Sequence, residues 1–154
     1  MKIIPNYDDW SEEEILAGLI LGEASGESKE GKVAVAHTVK TRVEHPRWWG
    51  NSYRSVCLCY SPKTQSRPAV SQFSCWLDVN ASRIKKEKDN SSIIWKQCLV
   101  IANGIIHNIF TCNLDRPTHY HTLTCFPDWS SKMLKLDTIE HHIFYRDISE
   151  KGLA

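Results

Sequence analysis

The sequence lacks any long apolar run, and its apolar stretches fall well short of the ~18 residues that a membrane-spanning helix needs. The amino-terminal segment, residues 1–14, also lacks the hydrophobic region of a secretory signal. These two features predict a protein that is synthesised in the cytoplasm without a signal peptide and that has no stable association with a membrane.

A surplus of charge of one sign is missing as well. The 154 residues include 19 Lys and Arg against 18 Asp and Glu, which gives a formal net charge of +1. So small a net charge gives no general attraction for nucleic acid, and we expect no nucleic-acid partner. One local basic stretch, residues 83–88, is typical of a solvated linker or the edge of a helix, with binding of an anionic polymer as the alternative. The length suits a single domain, residues 1–154, which we expect to be a monomer.

A clear metal-binding motif is also lacking. Zinc sites usually show C-x2-4-C or H-x3-5-H spacing, to which His119, His121 and Cys125 are only a loose match. The six cysteines permit three disulfides, but their spacing fixes no pairing. Cys98 lies in an apolar helical pattern, which predicts a buried free thiol. We predict no metal and no cofactor, with a zinc enzyme and a Cys/His peptidase as alternatives.

Three segments have apolar residues at helical spacing. They run from a Ser11 cap to Gly26, from Ser28 to about Glu44, and from Ser91 or Ser92 to about Ile109. The stretch 46–90 is rich in Ser, Pro and Trp and predicts irregular structure. Residues 111–137 are predicted to be loop, with a short strand at Thr118–Thr122, and residues 138–146 alternate like a single strand. Helices followed by a small β element indicate an α+β protein.

Glu23 lies on the apolar stripe of the first helix, four residues after Leu19 and seven after Leu16. Removal from water raises the pKa of a carboxylic acid, and the negative end of a helix acts in the same direction. A glutamic acid that stays neutral near pH 7 can protonate a glycosidic oxygen. The pattern alone leaves open that Glu23 pairs with a basic side chain or reaches solvent, and that Glu27 caps the second helix.

Four blocks of sequence together resemble one protein family. The block "LGEASGESKEGKVAVAHTVKTRVEHP" resembles the opening motif of the SleB/CwlJ cell-wall hydrolases. Three further blocks follow in the family's order: "QFSCW" (72–76), "THYH" (118–121) and "IEHHIFYR" (139–146). The resemblance spans roughly residues 12–146 and implies a compact, lysozyme-like domain. It also implies cleavage of the glycan strands of peptidoglycan at the bacterial cell wall, in phage lysis or, as a less favoured setting, in the spore cortex.

The resemblance places the family's catalytic acid at Glu23. It implies lytic transglycosylation between N-acetylmuramic acid and N-acetylglucosamine, in which one carboxyl group acts as acid and then as base. A hydrolytic muramidase is the alternative, and it usually needs two carboxylates. Candidates for the second carboxylate carry no distinguishing spacing; they are Glu27, Asp78, Asp115 and Asp128.

We expect a groove between the end of the first helix, the QFSCW segment and the THYH strand. The candidate substrate-binding residues are Gln72, Ser74, Tyr120, Trp76 and Glu27. His142, in the last block, is expected to have a structural role, and Trp48 and Trp49 are further candidates for stacking on sugar rings. A non-catalytic peptidoglycan-binding or structural phage protein is the non-enzyme alternative, favoured if Glu23 is exposed and remote from any groove.

Overall fold

The computed structural model describes residues 2–61, 64–66 and 70–154, without the side chains of Val70 and Asp78. The helices of this described part are α1 (Glu12–Ala24), α2 (Lys29–Glu44), α3 (Tyr53–Cys57), α4 (Asp78–Asp89) and α5 (Ile93–Ile106). Its strands are β1 (Lys2–Ile3), β2 (Cys59–Ser61), β3 (Val70–Ser71), β4 (His119–Thr122), β5 (Leu134–Ile139) and β6 (His142–Arg146). They form two antiparallel sheets, ordered β1-β2-β3 and β4-β6-β5. None of the described helices combines the length and apolar character needed to cross a membrane.

Helix α1 is the central element of the fold. The Ser11 hydroxyl accepts a hydrogen bond from the Glu14 backbone, and the Glu14 side chain accepts one from the Ser11 backbone, so the predicted capping box is present. Residues 15–21 are all buried, because α1 packs against α2, α3, α4 and α5. Fully burying a Leu or Ile side chain contributes roughly 1.5–3 kcal/mol, so this helix anchors the core.

The prediction of irregular structure over 46–90 was wrong in part, because α3, α4 and two short strands lie in this stretch. The sequence pattern did not predict helix α4. Ile84 is its one buried apolar residue among the described side chains, so the helix has no apolar stripe. The basic stretch 83–88 lies on this helix. Lys85 and Lys86 are exposed on this helix, whereas Lys88 is partly buried and pairs with Glu14 at 3.2 Å.

The prediction of a single strand over 138–146 also needs correction. The chain forms a hairpin there, with β5 ending at Ile139 and β6 beginning at His142. Glu140, in the turn, has a φ of 49°, in the left-handed region that usually favours glycine. No glycine or proline marks the turn, so the alternation of side chains continues through it in the sequence.

The prediction of loop over 111–137 was wrong in part, because a short 3-10 helix (Asp128–Lys132) and the start of β5 at Leu134 lie within it. The remaining elements agree more closely with the sequence predictions. Helix α5 follows a Ser92 cap, although it ends at Ile106, three residues earlier than expected. Strand β4 lies within the predicted 118–122 segment. All six cysteines are free, and Cys98 is buried as predicted. The α+β class is confirmed, with helices around α1 and the β4-β6-β5 sheet beside the end of α1.

Candidate active site

A cavity of ≈ 300 Å³ opens where the end of α1 meets β4 and the segment before α4. Residues from five separate parts of the chain line it: Glu23, Arg42, Ser71, Gln72, Phe73, His119, Tyr120 and Trp129. The cavity therefore brings together the end of the first helix, the beginning of the QFSCW segment and the THYH strand. Among its described lining residues, Glu23 is the one carboxylate.

Glu23 is half-buried in the last turn of α1. Burial raises the pKa of the Glu23 carboxyl, since the charged form loses hydration. The Tyr120 hydroxyl donates a hydrogen bond of 3.0 Å to Glu23 Oε1 and acts on this pKa in the opposite direction. The carboxyl group therefore holds its proton more tightly than an exposed glutamic acid does.

Tyr120 is fixed by rings on several sides. Its ring stacks on Phe73 at a centroid distance of 6.4 Å and meets the ring of His142 edge-on at 5.1 Å. Burial, together with the nearby Glu23, raises the pKa of Tyr120 well above its usual value. Tyr120 is therefore a stable hydrogen-bond donor to Glu23 rather than an acid that titrates near neutral pH.

Arg42 is a site residue that the sequence analysis missed. It is buried, and it donates from Nε to the Thr118 carbonyl at 2.7 Å and from Nη1 to Gln72 Oε1 at 3.1 Å. Burial lowers the pKa of Arg42 to about 10, so the guanidinium stays charged at neutral pH. Its position on the inner stripe of α2, three residues after Val39, was the available signal. The same argument had selected Glu23.

The residues of the QFSCW segment lie in different environments. Gln72 is half-buried in the cavity wall, where Arg42 holds its side-chain oxygen. Ser74 is exposed and does not line the cavity. Trp76 is only 3% exposed and packs against Tyr7 and Trp10, so its proposed stacking on a sugar ring is incompatible with its position in the core.

Glu27 does not face the cavity as a substrate-binding residue would. It is buried, with Oε2 2.8 Å from Nδ1 of His141 and Oε1 accepting a 3.2 Å hydrogen bond from the His141 backbone. Oε1 also lies 2.8 Å from Nδ1 of His142. Both carboxylate oxygens are thus engaged by the hairpin turn, and Ser28, not Glu27, caps α2 with its side chain.

Two further aromatic groups, His119 and Trp129, line the cavity. His119 contacts Trp129 at a centroid distance of 5.0 Å. Burial, with a further effect of the Arg42 cation, lowers the pKa of His119 to about 3, so its imidazole is neutral. Trp129 lies in the short 3-10 helix Asp128–Lys132 before β5, where no sequence pattern indicated a site. Of the other candidate tryptophans, Trp49 is fully buried and Trp48 is exposed.

None of the alternative carboxylates with a described side chain lines the cavity. Asp115 pairs with Arg116 and Arg146, and Asp128 is exposed. The side chain of Asp78 lies outside the described part of the chain. The described side chains therefore provide no second carboxylate in this cavity for a muramidase mechanism.

One group of potential metal ligands occurs among the described residues. Ligand atoms of Glu27, Glu140 and His141 lie within 4.8 Å of one another. The Glu27 oxygens already accept hydrogen bonds there, and Glu140 Oε1 accepts one from the Ser28 backbone. The group is separate from the His119, His121 and Cys125 set considered from the sequence.

Comparison with known proteins agrees with this architecture. In fold the chain is similar to the catalytic domain of the germination-specific lytic transglycosylase SleB from Bacillus anthracis, with a TM-score of 0.61 and 18% sequence identity. The match covers 93% of this chain and 100% of the SleB domain, and it supports the expected lysozyme-like arrangement. Among curated protein sequences, none matches the chain significantly.

The family model described as Cell Wall Hydrolase matches residues 26–145. This span begins three residues after Glu23 and includes the other cavity residues, from Arg42 to Trp129. It covers most of the chain, including the QFSCW and THYH blocks and all but the last residue of the 139–146 block. The chain therefore belongs to the cell wall hydrolase family.

Proposed function

We propose that this protein cleaves the glycan strands of peptidoglycan as a lytic transglycosylase, with Glu23 as the single acid and base. The observation that carries the proposal is a half-buried carboxyl group with a raised pKa, the one carboxylate among the described residues of its cavity. One carboxyl group suffices for transglycosylation, whereas hydrolysis usually takes two.

In the first step, Glu23 donates its proton to the oxygen of the departing N-acetylglucosamine. The bond from that oxygen to C1 of N-acetylmuramic acid breaks, and C1 develops oxocarbenium character. In the second step, the C6 hydroxyl of the same muramic acid attacks C1 and gives its proton back to Glu23. The products are a free N-acetylglucosamine end and a 1,6-anhydro ring, and the enzyme is regenerated.

Tyr120 supports both halves of this cycle. It donates to Oε1 of Glu23, which leaves Oε2 as the oxygen that exchanges the proton. After the first step Glu23 is an anion in a poorly hydrated position, and the hydrogen bond from Tyr120 stabilises that anion. The transfer is therefore reversible at one oxygen while the other stays bound.

The walls of the cavity offer the contacts that an N-acetylated sugar needs. The Gln72 amide is oriented by Arg42 and lies in the lining, where its NH₂ group can donate to an acetyl carbonyl. The half-buried Trp129 presents an aromatic face that suits the apolar face of a sugar ring. We assign substrate binding to these two side chains and to Tyr120.

The deciding experiment is digestion of purified peptidoglycan followed by mass spectrometry of the products. A lytic transglycosylase gives 1,6-anhydromuramic ends, and a muramidase gives reducing muramic ends. Glu23→Gln should release neither product. Glu13→Gln is the matched control on the same helix, since the Glu13 side chain pairs with the exposed His107 far from the cavity. Product release by Glu23→Gln at the rate of the control would refute the proposal.

The non-catalytic alternative makes a different prediction for the same variants. A binding module would pull down with peptidoglycan and release no fragments, whether or not Glu23 is present. The hydrogen bond from Tyr120 to a carboxyl group inside a cavity supports an enzyme, because an exposed Glu23 remote from any groove was the feature expected of a binding module.

A further inference from the structure

We propose that Glu27 is a positioning residue for the Glu23 proton donor and acts on it through His142 and Tyr120. This inference rests on the proposed function of Glu23 and assigns a purpose to a buried carboxylate that the mechanism does not use. Glu27 is 7% exposed, and it lies in the short connection between α1 and α2. An ionised group is costly to bury unless it is paired, so its partners indicate its purpose.

Hydrogen bonds at both backbone polar groups of Glu27 fix the position from which its side chain starts. The Glu27 N–H donates to the Ala24 carbonyl at 3.0 Å, and its own carbonyl accepts a hydrogen bond from Nζ of the buried Lys32. The backbone of Glu27 is thereby fixed between the end of α1 and the first turns of α2. The carboxylate projects from this support toward the hairpin turn.

The partners of the Glu27 carboxylate come from the turn between β5 and β6. The backbone and Nδ1 of His141 contact the two oxygens at 3.2 Å and 2.8 Å. Nδ1 of His142 lies 2.8 Å from Oε1, so the buried imidazole is in direct contact with the carboxylate, although the direction departs from that of a hydrogen bond. The turn is therefore tied to α1 through one carboxylate.

His142 transmits this constraint to the active site. Its ring meets Tyr120 edge-on at 5.1 Å, and Tyr120 donates to Glu23 Oε1 at 3.0 Å. The path from Glu27 through His142 and Tyr120 to Glu23 leaves the end of α1, crosses β6 and β4, and returns to α1. Displacement of His142 would let the Tyr120 ring tilt and would lengthen its bond to Glu23.

The charged and titratable groups that face Glu27 can be named individually. They are His141 and His142, the exposed Glu140 of the same turn, and Lys32 of α2. Burial lowers the pKa of His142, and the attraction of Glu27 opposes that effect. The pKa of the exposed His141 is raised by its hydrogen bond to Glu27.

His141 offers an internal control. It pairs with Glu27 as closely as His142 does, but its side chain is 74% exposed and makes no ring contact with Tyr120 in the described structure. Loss of His141 therefore weakens the anchoring of the turn without removing the ring that supports Tyr120. A role of Glu27 in anchoring alone and a role in positioning the proton donor give different results for this variant.

The test measures kcat, KM and the pH profile of glycan-strand cleavage for Glu27→Gln, His142→Phe, their double variant and His141→Ala. We expect Glu27→Gln and His142→Phe each to lower kcat about 10- to 100-fold, because small displacements at a reacting centre cost that much. KM should stay near the wild-type value, and the basic limb of the profile should move to higher pH. The double variant should be no slower than the slower single variant, as expected for two residues on one path.

The outcomes separate this inference from the proposed function. His141→Ala should keep a near-wild-type kcat even if its melting temperature falls as far as that of Glu27→Gln. A loss of kcat in His141→Ala equal to that in Glu27→Gln would reduce Glu27 to an anchor of the turn. Wild-type kcat in Glu27→Gln, with Glu23→Gln inactive, would overturn the inference alone, whereas an active Glu23→Gln would overturn the proposed function. Should Glu27→Gln fail to fold, His142→Phe and His141→Ala make the same comparison.

Discussion

At the scale of single residues, two opposing effects set the acidity of Glu23. Burial raises its pKa, and the hydrogen bond from Tyr120 moves the pKa in the other direction. A general acid that must also act as a base works best when its pKa lies near the working pH. The pKa of the catalytic carboxyl group therefore depends on the position of the Tyr120 hydroxyl as well as on the burial of Glu23.

Tyr120→Phe should lower kcat about 10- to 100-fold, since it removes one preorganised donor to a charge that forms during the reaction. The pKa of Glu23 should rise without this bond. Because the protonated form begins the reaction, the basic limb of the kcat/KM profile should shift to higher pH. Tyr145→Phe is the control, as it loses a 2.9 Å contact with His121 and none with Glu23. An unshifted profile in Tyr120→Phe would contradict the assigned hydrogen bond.

Glu23→Gln should also change the stability of the fold in a pH-dependent way. The raised pKa means that the native state binds the Glu23 proton more tightly than the unfolded state, where a glutamic acid has a pKa of about 4.3. The wild type should therefore lose stability as the pH rises from about 4.3 through the native pKa of Glu23. Across this range the melting temperature of Glu23→Gln should rise relative to that of the wild type. Above the native pKa of Glu23 the difference between the two should stay constant. If the stability difference between Glu23→Gln and the wild type stays constant from about pH 3 upward, Glu23 has an ordinary carboxyl pKa.

At the scale of elements, close packing of α1 places Glu23. The segment Ser74–Trp76 lies directly against the last turns of α1, where glycines leave room for it. A Cβ added at Gly22 would lie 2.4 Å from Cβ of Cys75, and one added at Gly18 would lie 2.7 Å from the Trp76 ring. The helix end and the QFSCW segment can meet only because these two positions carry no side chain.

Gly22→Ala should destabilise the protein by about 1–3 kcal/mol, because the added methyl group forces α1 and Cys75 apart. The better helix propensity of alanine, worth about 1 kcal/mol, offsets only part of this cost. Urea denaturation measures the free energy of unfolding. Gly26→Ala is the matched control, since nothing lies within 4 Å of its added Cβ. Equal stability of the two variants would show that α1 and the segment are not packed this closely.

At the scale of the whole molecule, the active site is assembled from distant parts of the chain. Glu23 and Tyr120 are 97 residues apart, and Glu27 and His141 are 114 apart. Both pairs link α1 and its following connection to the β4-β6-β5 sheet. The helical core and this sheet therefore have to fold together before the proton donor has its neighbours.

The same compact core predicts the chemistry of the thiols. Four cysteines are buried, Cys112 is partly buried and Cys125 is exposed, and all six are free. The native protein should react rapidly with a thiol reagent at Cys125 alone, and the unfolded protein at all six cysteines. Dithiothreitol should leave the melting temperature unchanged. A fall in melting temperature on reduction would reveal a stabilising disulfide.

Much of the fold and the centre of the site could be predicted from local patterns. The Ser11 capping box, the apolar spacing of α1, α2 and α5 and the placement of Glu23 on an apolar stripe depend on neighbours within one or two turns. Helix α4 and the Glu140 turn could not be predicted, because the first buries one apolar residue among its described side chains and the second lacks the usual turn residues. Trp129 had no local signal at all.

The sequence by itself determined that a carboxylate ends a buried helix and that three further blocks follow it in the family's order, because these are properties of neighbouring residues and of their order. Only the tertiary structure decided which polar groups meet. It turned Glu27 away from the cavity toward the hairpin, buried Trp76 in the core and brought Arg42 to Gln72. Periodicity specifies the face of an element on which a residue lies, whereas the packing of all elements specifies what that face contacts.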